Sequence, residues 1–141
     1  MTQDFTIRNG EVDDKSLIQK YGEIDPEWAL NEGLLAVAFS DTSFHVFIAE
    51  TSKEAVGYGL MRMERGSNRD AMIYVVYISK HARRQGYGMA LMNHMLETAA
   101  NSNCKIVRLM VNVDNVSACT LYKNLGFTER RIEMHLNLEN K

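Results

Sequence analysis

One proline, two cysteines and one tryptophan are all that 141 residues contain of those types, and each scarcity closes off a class of protein. A single proline with nine glycines excludes collagen-like and Pro/Gly-rich low-complexity chains. Cys104 and Cys119 stand fifteen residues apart, with no Cys-x-x-Cys and no histidine at ligand spacing. No disulfide framework and no metal site is expected, and both read as reduced, small apolar residues. The longest apolar run, Ala71 to Ile78, has eight residues, far short of the roughly 20 that a membrane helix needs. The opening Met-Thr-Gln-Asp has no basic-then-apolar signal pattern. A cytoplasmic protein with no membrane partner is the expectation.

What is present suits one globular domain spanning residues 1–141. Hydrophobic residues make up 45% and charged residues 24%, enough for one substantial core and a soluble surface. The formal net charge of −2 argues against nucleic acid as a partner. That small sum hides a split. Residues 1–70 carry seven basic and thirteen acidic side chains, whereas residues 71–141 carry nine basic and five acidic. One half is suited to a cation and the other to an anion, unless the charges are scattered over two unrelated faces.

The pattern predicts a first strand at Thr6–Arg8 and a helix from about Asp13 to Tyr21. A second helix begins at Asp25 as N-cap with Pro26 at its first position, where a missing N–H costs nothing. Phe44–Ala49 and Ala55–Met63 read as a hairpin, and 66–70 as a polar loop. Ala71–Ile78 is too continuously apolar for a half-exposed strand and belongs inside a sheet. A long helix over Gly86–Asn101 follows, with His94 on its apolar stripe read as a half-buried histidine at a helix–sheet edge. Lys105–Val113 is a further strand. Asn115 caps a short helix stopped by Gly126, and a closing strand runs from about Arg130 to Leu138. The fold class is mixed α/β, with helices flanking one sheet and without strict doubly wound alternation.

The chemistry concentrates in Arg83-Arg84-Gln85-Gly86-Tyr87-Gly88, between the buried strand and the long helix. Glycines at such a turn let a ligand approach the backbone, and first-turn N–H groups beside a helix dipole are anion donors. Two arginines at the mouth favour phosphate or pyrophosphate. A P-loop is excluded because no Gly-Lys-Ser/Thr occurs, and the third glycine of a dinucleotide fingerprint would fall at Leu91. Taken alone, the glycines serve a tight turn equally well.

A second segment breaks that tie. From Leu109 onward the chain has Asn115, then Ala118, then Leu121-Tyr122, then Gly126-Phe127. With Arg-x-x-Gly-x-Gly some thirty residues earlier, this resembles the two motifs of the GNAT superfamily of N-acetyltransferases, in the right order and separation. The resemblance covers essentially the whole chain and is strongest from Ile73 to Phe127.

It implies a central, mostly antiparallel mixed sheet whose fourth and fifth strands splay apart. Acetyl-CoA would be the cosubstrate, its pantetheine arm pairing with the backbone of Val76, Tyr77 and Ile78. Arg83, Arg84, Gln85, Gly86, Tyr87, Gly88 and Met89 would hold the pyrophosphate, and Asn115 would hydrogen-bond the arm. Tyr122 would stand near the sulfur, as a general acid for the leaving thiolate. A core role for Tyr122 is the alternative. Members of the family are often dimers, so a homodimer is also implied.

Two departures qualify the resemblance. No carboxylate lies in Ile73–Tyr77, where many relatives carry a glutamate base, so Glu64, Glu27, Glu32 and His45 become candidates, or water alone. Only fourteen residues follow Phe127, too few for a full terminal hairpin. The acidic segment from Tyr21 to Trp28 borders the acceptor in this family and suits a small cationic amine. A protein N-terminus or lysine remains the rival acceptor. A non-catalytic acyl-CoA-binding module and a purely structural mixed-sheet domain are the rival functions.

Overall fold

The computed structural model describes residues 4–64 and 69–140. The chain divides into two compact units, Met1–Met110 and Val111–Lys141.

The first unit is a five-stranded sheet in the order β1-β2-β3-β4-β5. Its strands are β1 (Thr6–Asn9), β2 (Phe44–Glu50), β3 (Ala55–Met63), β4 (Asp70–Ile78) and β5 (Ile106–Leu109). The first four are antiparallel neighbours, and β5 runs parallel to β4. This is the mixed, mostly antiparallel sheet that the sequence implied. Of the polar loop expected at 66–70, residues 66–68 lie outside the described residues, and Asp70 opens β4.

Helices cover both faces of the sheet. α1 (Lys15–Ile24) and α2 (Glu32–Ser40) bury Ile18, Tyr21, Leu35 and Ala38 against Val46, Ile48, Tyr58, Leu60, Val75 and Tyr77. α3 (Tyr87–Asn101) buries Leu91, Met92, Met95 and Ala99. Gly59 lets α3 come close, because a Cβ there would meet the Met95 sulfur at 2.6 Å. His94 is partly buried on α3 with its ring edge-on to Phe47 at 5.3 Å, in the structural role expected.

The second expected helix is two pieces. Pro26 does open a helical turn, but that 3-10 turn ends at Trp28, and Ala29 turns extended at ψ 130°. α2 then starts anew under Asn31, whose side chain accepts the Leu34 N–H at 2.7 Å. The Asp25 side chain caps nothing, because it is drawn into the core instead.

β4 carries one residue more than its partner. Leu60 pairs with Val75 and Met61 with Ile73, so Tyr74 is a bulge that bends the strand. Just before that bend the pairing with β5 stops, at Ile73 and Leu109. The expected strand over Lys105–Val113 is therefore only four residues long, for want of a partner beyond Ile73.

The second unit holds α4 (Val116–Asn124). Asn115 is its N-cap, accepting the Ala118 N–H at 3.2 Å. Its end is a Schellman turn. Gly126 takes φ 102°, its N–H bonds to Lys123 O at 3.0 Å, and the Phe127 N–H returns to Tyr122 O at 3.0 Å. The strand expected from Arg130 to Leu138 is absent, and a 3-10 turn closes the described chain at Leu138–Asn140. A strand is made by its ladder, and no strand pairs with 130–137 among the described residues. The alternating Ile132, Met134, Leu136 and Leu138 are exposed.

Candidate active site

Beyond Ile73 no strand pairs with the outer edge of β4 among the described residues. The Ser79 N–H bonds to Val56 O at 2.8 Å, and Ile78 stands opposite Gly57 and Tyr77 opposite Tyr58. Antiparallel pairs alternate between hydrogen-bonded and not. The backbone groups of Tyr77 thus face β3, and those of Val76 and Ile78 face outward, where β5 no longer runs. The outward carbonyl of Ile78 accepts Arg83 Nε at 2.7 Å. The three expected strand residues therefore divide: Val76 and Ile78 offer outward backbone groups, whereas Tyr77 offers its side chain.

The loop after β4 holds two left-handed residues, Arg84 at φ 63° and Gly86 at φ 86°. Gly86 is the N-cap of α3 and is needed for its backbone angle, since a Cβ there would meet nothing within 4 Å. The Ala90 N–H bonds to Gly86 O at 3.0 Å, leaving the amides of Gly88 and Met89 in the unsatisfied first turn. Arg84 and Gln85 are exposed. Tyr87 is buried, with its ring stacked on Phe5 at 4.5 Å.

Arg83 points elsewhere. Besides Ile78 O, its guanidinium lies over the Tyr77 ring at 5.7 Å and 3.8 Å from Asp25 Oδ2. Asp25 is a residue whose importance the sequence did not signal. Its carboxylate is fully buried, it accepts the Tyr77 hydroxyl, and its Oδ1 lies 3.0 Å from Lys80 Nζ. The Tyr77 hydrogen bond, with Lys80 and Arg83 behind it, holds the Asp25 carboxyl below the usual carboxylate range against the cost of burial. Burial, with that same hydrogen bond, pushes the Tyr77 phenol up to about 12.

The candidate bases separate by position. Glu64 follows the end of β3, and His45 pairs with Met61. By the strand rise of about 3.3 Å per residue, Glu64 lies on the order of 20 Å from Ile78. Glu64 is also paired with Arg108 at 3.4 Å. Glu27 and Glu32 are exposed at the starts of their helical segments.

In the second unit the Tyr122 ring is half-buried and edge-on to Phe127 at 5.9 Å. Burial raises its phenol above the ordinary value, so it stays protonated at neutral pH. No group of three or more metal-ligating side chains occurs among the described residues. No helix among them is long and apolar enough to cross a membrane.

Known proteins are similar to this chain in sequence and in architecture. The family model described as "Acetyltransferase (GNAT) family" matches residues 11–127. An N-alpha-acetyltransferase of Sulfurisphaera tokodaii is 29% identical over 94% of this chain and 86% of its own. An uncharacterized N-acetyltransferase of Methanocaldococcus jannaschii is 32% identical over 61% of this chain, which spans only 40% of that relative's length. An aminoglycoside acetyltransferase from an uncultured soil metagenomic sample superposes with a TM-score of 0.76, at 18% identity, covering 96% of this chain and 97% of that one. With the family model matched over most of its length and the mixed, mostly antiparallel sheet in place, the chain belongs to the GNAT family of acetyltransferases.

Proposed function

We propose that the protein transfers acetyl from acetyl-CoA to a primary amine by direct attack, with a small cationic amine as acceptor. One observation carries this reading: beyond Ile73 the outer edge of β4 has no paired strand among the described residues, and the strand continues into a loop that ends at a left-handed glycine opening α3. An extended pantetheine arm pairs with such an edge as an added strand would. Val76 supplies the outward N–H and carbonyl, and Ile78, whose carbonyl is held by Arg83, supplies its N–H as an oxyanion-type donor for the thioester carbonyl. The exposed 84–86 stretch and the first-turn amides of Gly88 and Met89 suit pyrophosphate. Arg84 is the arginine suited to phosphate, because Arg83 is engaged with Asp25 and Ile78.

Nitrogen attacks the thioester carbon and the carbon–sulfur bond breaks. Tyr122, protonated at neutral pH, gives its proton to the departing thiolate, and Asn115 hydrogen-bonds the arm through its side-chain amide. With Glu64 and His45 at the far end of the sheet, the acceptor's proton leaves through water. A cytoplasmic homodimer belongs to the same reading.

The test is a melting temperature with and without acetyl-CoA, followed by thiol release with a panel of amines. Ligand at about 100 times its Kd stabilises by roughly 2.7 kcal/mol, which for this size raises Tm by about 5–10 °C. No shift from the folded protein would remove the cosubstrate and with it the reaction. A shift without thiol release from any amine would leave an acyl-CoA-binding module. The name of the Sulfurisphaera relative favours one second reading, a protein N-terminus as acceptor, and peptides in the same panel decide between the two.

A further inference from the structure

Asp25 has no part in the acetyl transfer described above, yet the fold goes to some length to bury it. Carboxylates are almost never fully buried without partners. Here Oδ2 takes the Tyr77 hydroxyl, with an Arg83 nitrogen 3.8 Å away, whereas Oδ1 meets the Lys80 ammonium at 3.0 Å. The Lys80 side chain is 65% exposed, so this ammonium reaches a buried oxygen from solvent on its own alkyl stem. Aromatic rings surround the spot. The Tyr77 ring lies 4.9 Å from that of Tyr21 and 5.7 Å from that of Trp28, itself partly exposed. Ring faces beside a carboxylate favour an organic cation. The hydroxyls of Tyr21 and Tyr58 are buried and unpaired, an arrangement that costs stability unless a ligand's polar group satisfies it.

We propose that Asp25 is a seat for a primary alkylammonium and that Lys80 is its built-in occupant, displaced when an external one binds. On the acetyltransferase reading, which supplies the identity of the ligand, the guest is one end of an acceptor carrying two amines. A carboxylate held this firmly in its charged state is a poor proton acceptor, so the amine it grips is the one that does not react. The other amine is left to attack. Lys80 then sets selectivity, because a guest must outcompete a tethered ammonium whose effective concentration is high.

The test begins with Lys80→Ala, which vacates the seat without touching the core. n-Butylammonium chloride should raise the Tm of this variant by a few degrees more than tetramethylammonium chloride at equal concentration. The double variant Asp25→Asn/Lys80→Ala should show no such difference. Equal shifts with both salts, or a difference that survives in the double variant, would overturn the seat. Should the double variant not fold, the wild-type protein gives the same answer: the Lys80 ammonium NMR signal moves on titration with putrescine but not with tetramethylammonium. A signal unmoved by putrescine overturns the proposal. In turnover, Lys80→Ala should lower KM for putrescine several-fold relative to KM for n-butylamine, and an unchanged ratio would rule out the two-amine acceptor. Failure of the acetyltransferase reading looks different, as selective ammonium binding with no thiol release from any amine.

Discussion

The two ends of the sheet teach opposite lessons about where chemistry resides. At the end where β3 finishes there is a hollow of about 370 Å³ lined by Ser43, His45, Met63, Glu64, Arg69 and Cys104. It gathers an imidazole, a carboxylate and a thiol, yet Glu64 is ion-paired with Arg108 and burial pushes the Cys104 thiol up, away from its reactive form. Each end has a non-glycine residue at a left-handed angle, Asn103 beside the hollow and Arg84 at the other end, but only at the latter does β4 lose its neighbour and a carboxylate lie buried under a tyrosine. The first end has a container with its groups already answered. The second has backbone and side-chain groups held in costly states, which is where binding free energy can be recovered.

The sharpest way to test this contrast is through the group assigned to the leaving thiolate. Tyr122→Phe should lower kcat by about 100-fold or more while KM for acetyl-CoA stays within about twofold, read by thiol release at saturating amine. Unchanged turnover in a folded Phe variant would return Tyr122 to a packing role. Next in size, Gly86→Asp strains a φ of 86° and sets a carboxylate where phosphate is expected. It should abolish the 5–10 °C rise in Tm with acetyl-CoA, estimated above from ligand linkage, and a rise that persists would move the anion site elsewhere.

A smaller effect concerns pH. Asp25 is held below the ordinary carboxylate range when folded, so its stabilisation is complete above that range and is lost as pH falls through it. Wild type should therefore lose more Tm than Asp25→Asn between about pH 6 and pH 3, on the usual carboxylate scale. Parallel losses would mean that Tyr77 and Lys80 do not stabilise the charged form. At the foot of the scale, Glu64→Gln and His45→Gln should each change kcat/KM by less than about twofold, because about 20 Å of sheet separates Glu64 from Ile78 by the strand rise. A tenfold loss in either would reverse the comparison between the two ends.

The sequence made some of this legible and hid the rest, for reasons that can be named. β2, β3 and β4 were readable because long apolar runs between polar turns have one good solution in a sheet. The turn into α3 and the cap of α4 are readable because a glycine angle and an asparagine cap are local requirements. Arg130–Leu138 has an equally good alternation, but alternation states which face wants burial and not whether a neighbouring strand exists. Asp25 does stand at the N-cap position before Pro26, as the Asp-Pro signal predicts, but its side chain makes no capping bond. Its actual partners, Tyr77 and Lys80, lie more than fifty residues away. Arg83 and Arg84 are adjacent in sequence and look alike, yet with a left-handed angle at Arg84 the first reaches Asp25 and Ile78 O and the second is exposed.

The bulge at Tyr74 works as a phase shift. Before it, Ala71 and Ile73 share the α3 face with Met63 and Met61; after it, Val75 and Tyr77 share the opposite face with Leu60 and Tyr58. All four positions are odd-numbered, so a strand of uninterrupted period two would put them on one side. The single extra residue is what brings Tyr77 over Asp25 and turns the peptide groups of Val76 and Ile78 outward. Deleting Tyr74 would remove no proposed contact with either substrate, yet it would exchange inside for outside along the last turn of chain before the loop. The site is encoded as much by the count of residues along β4 as by their kind.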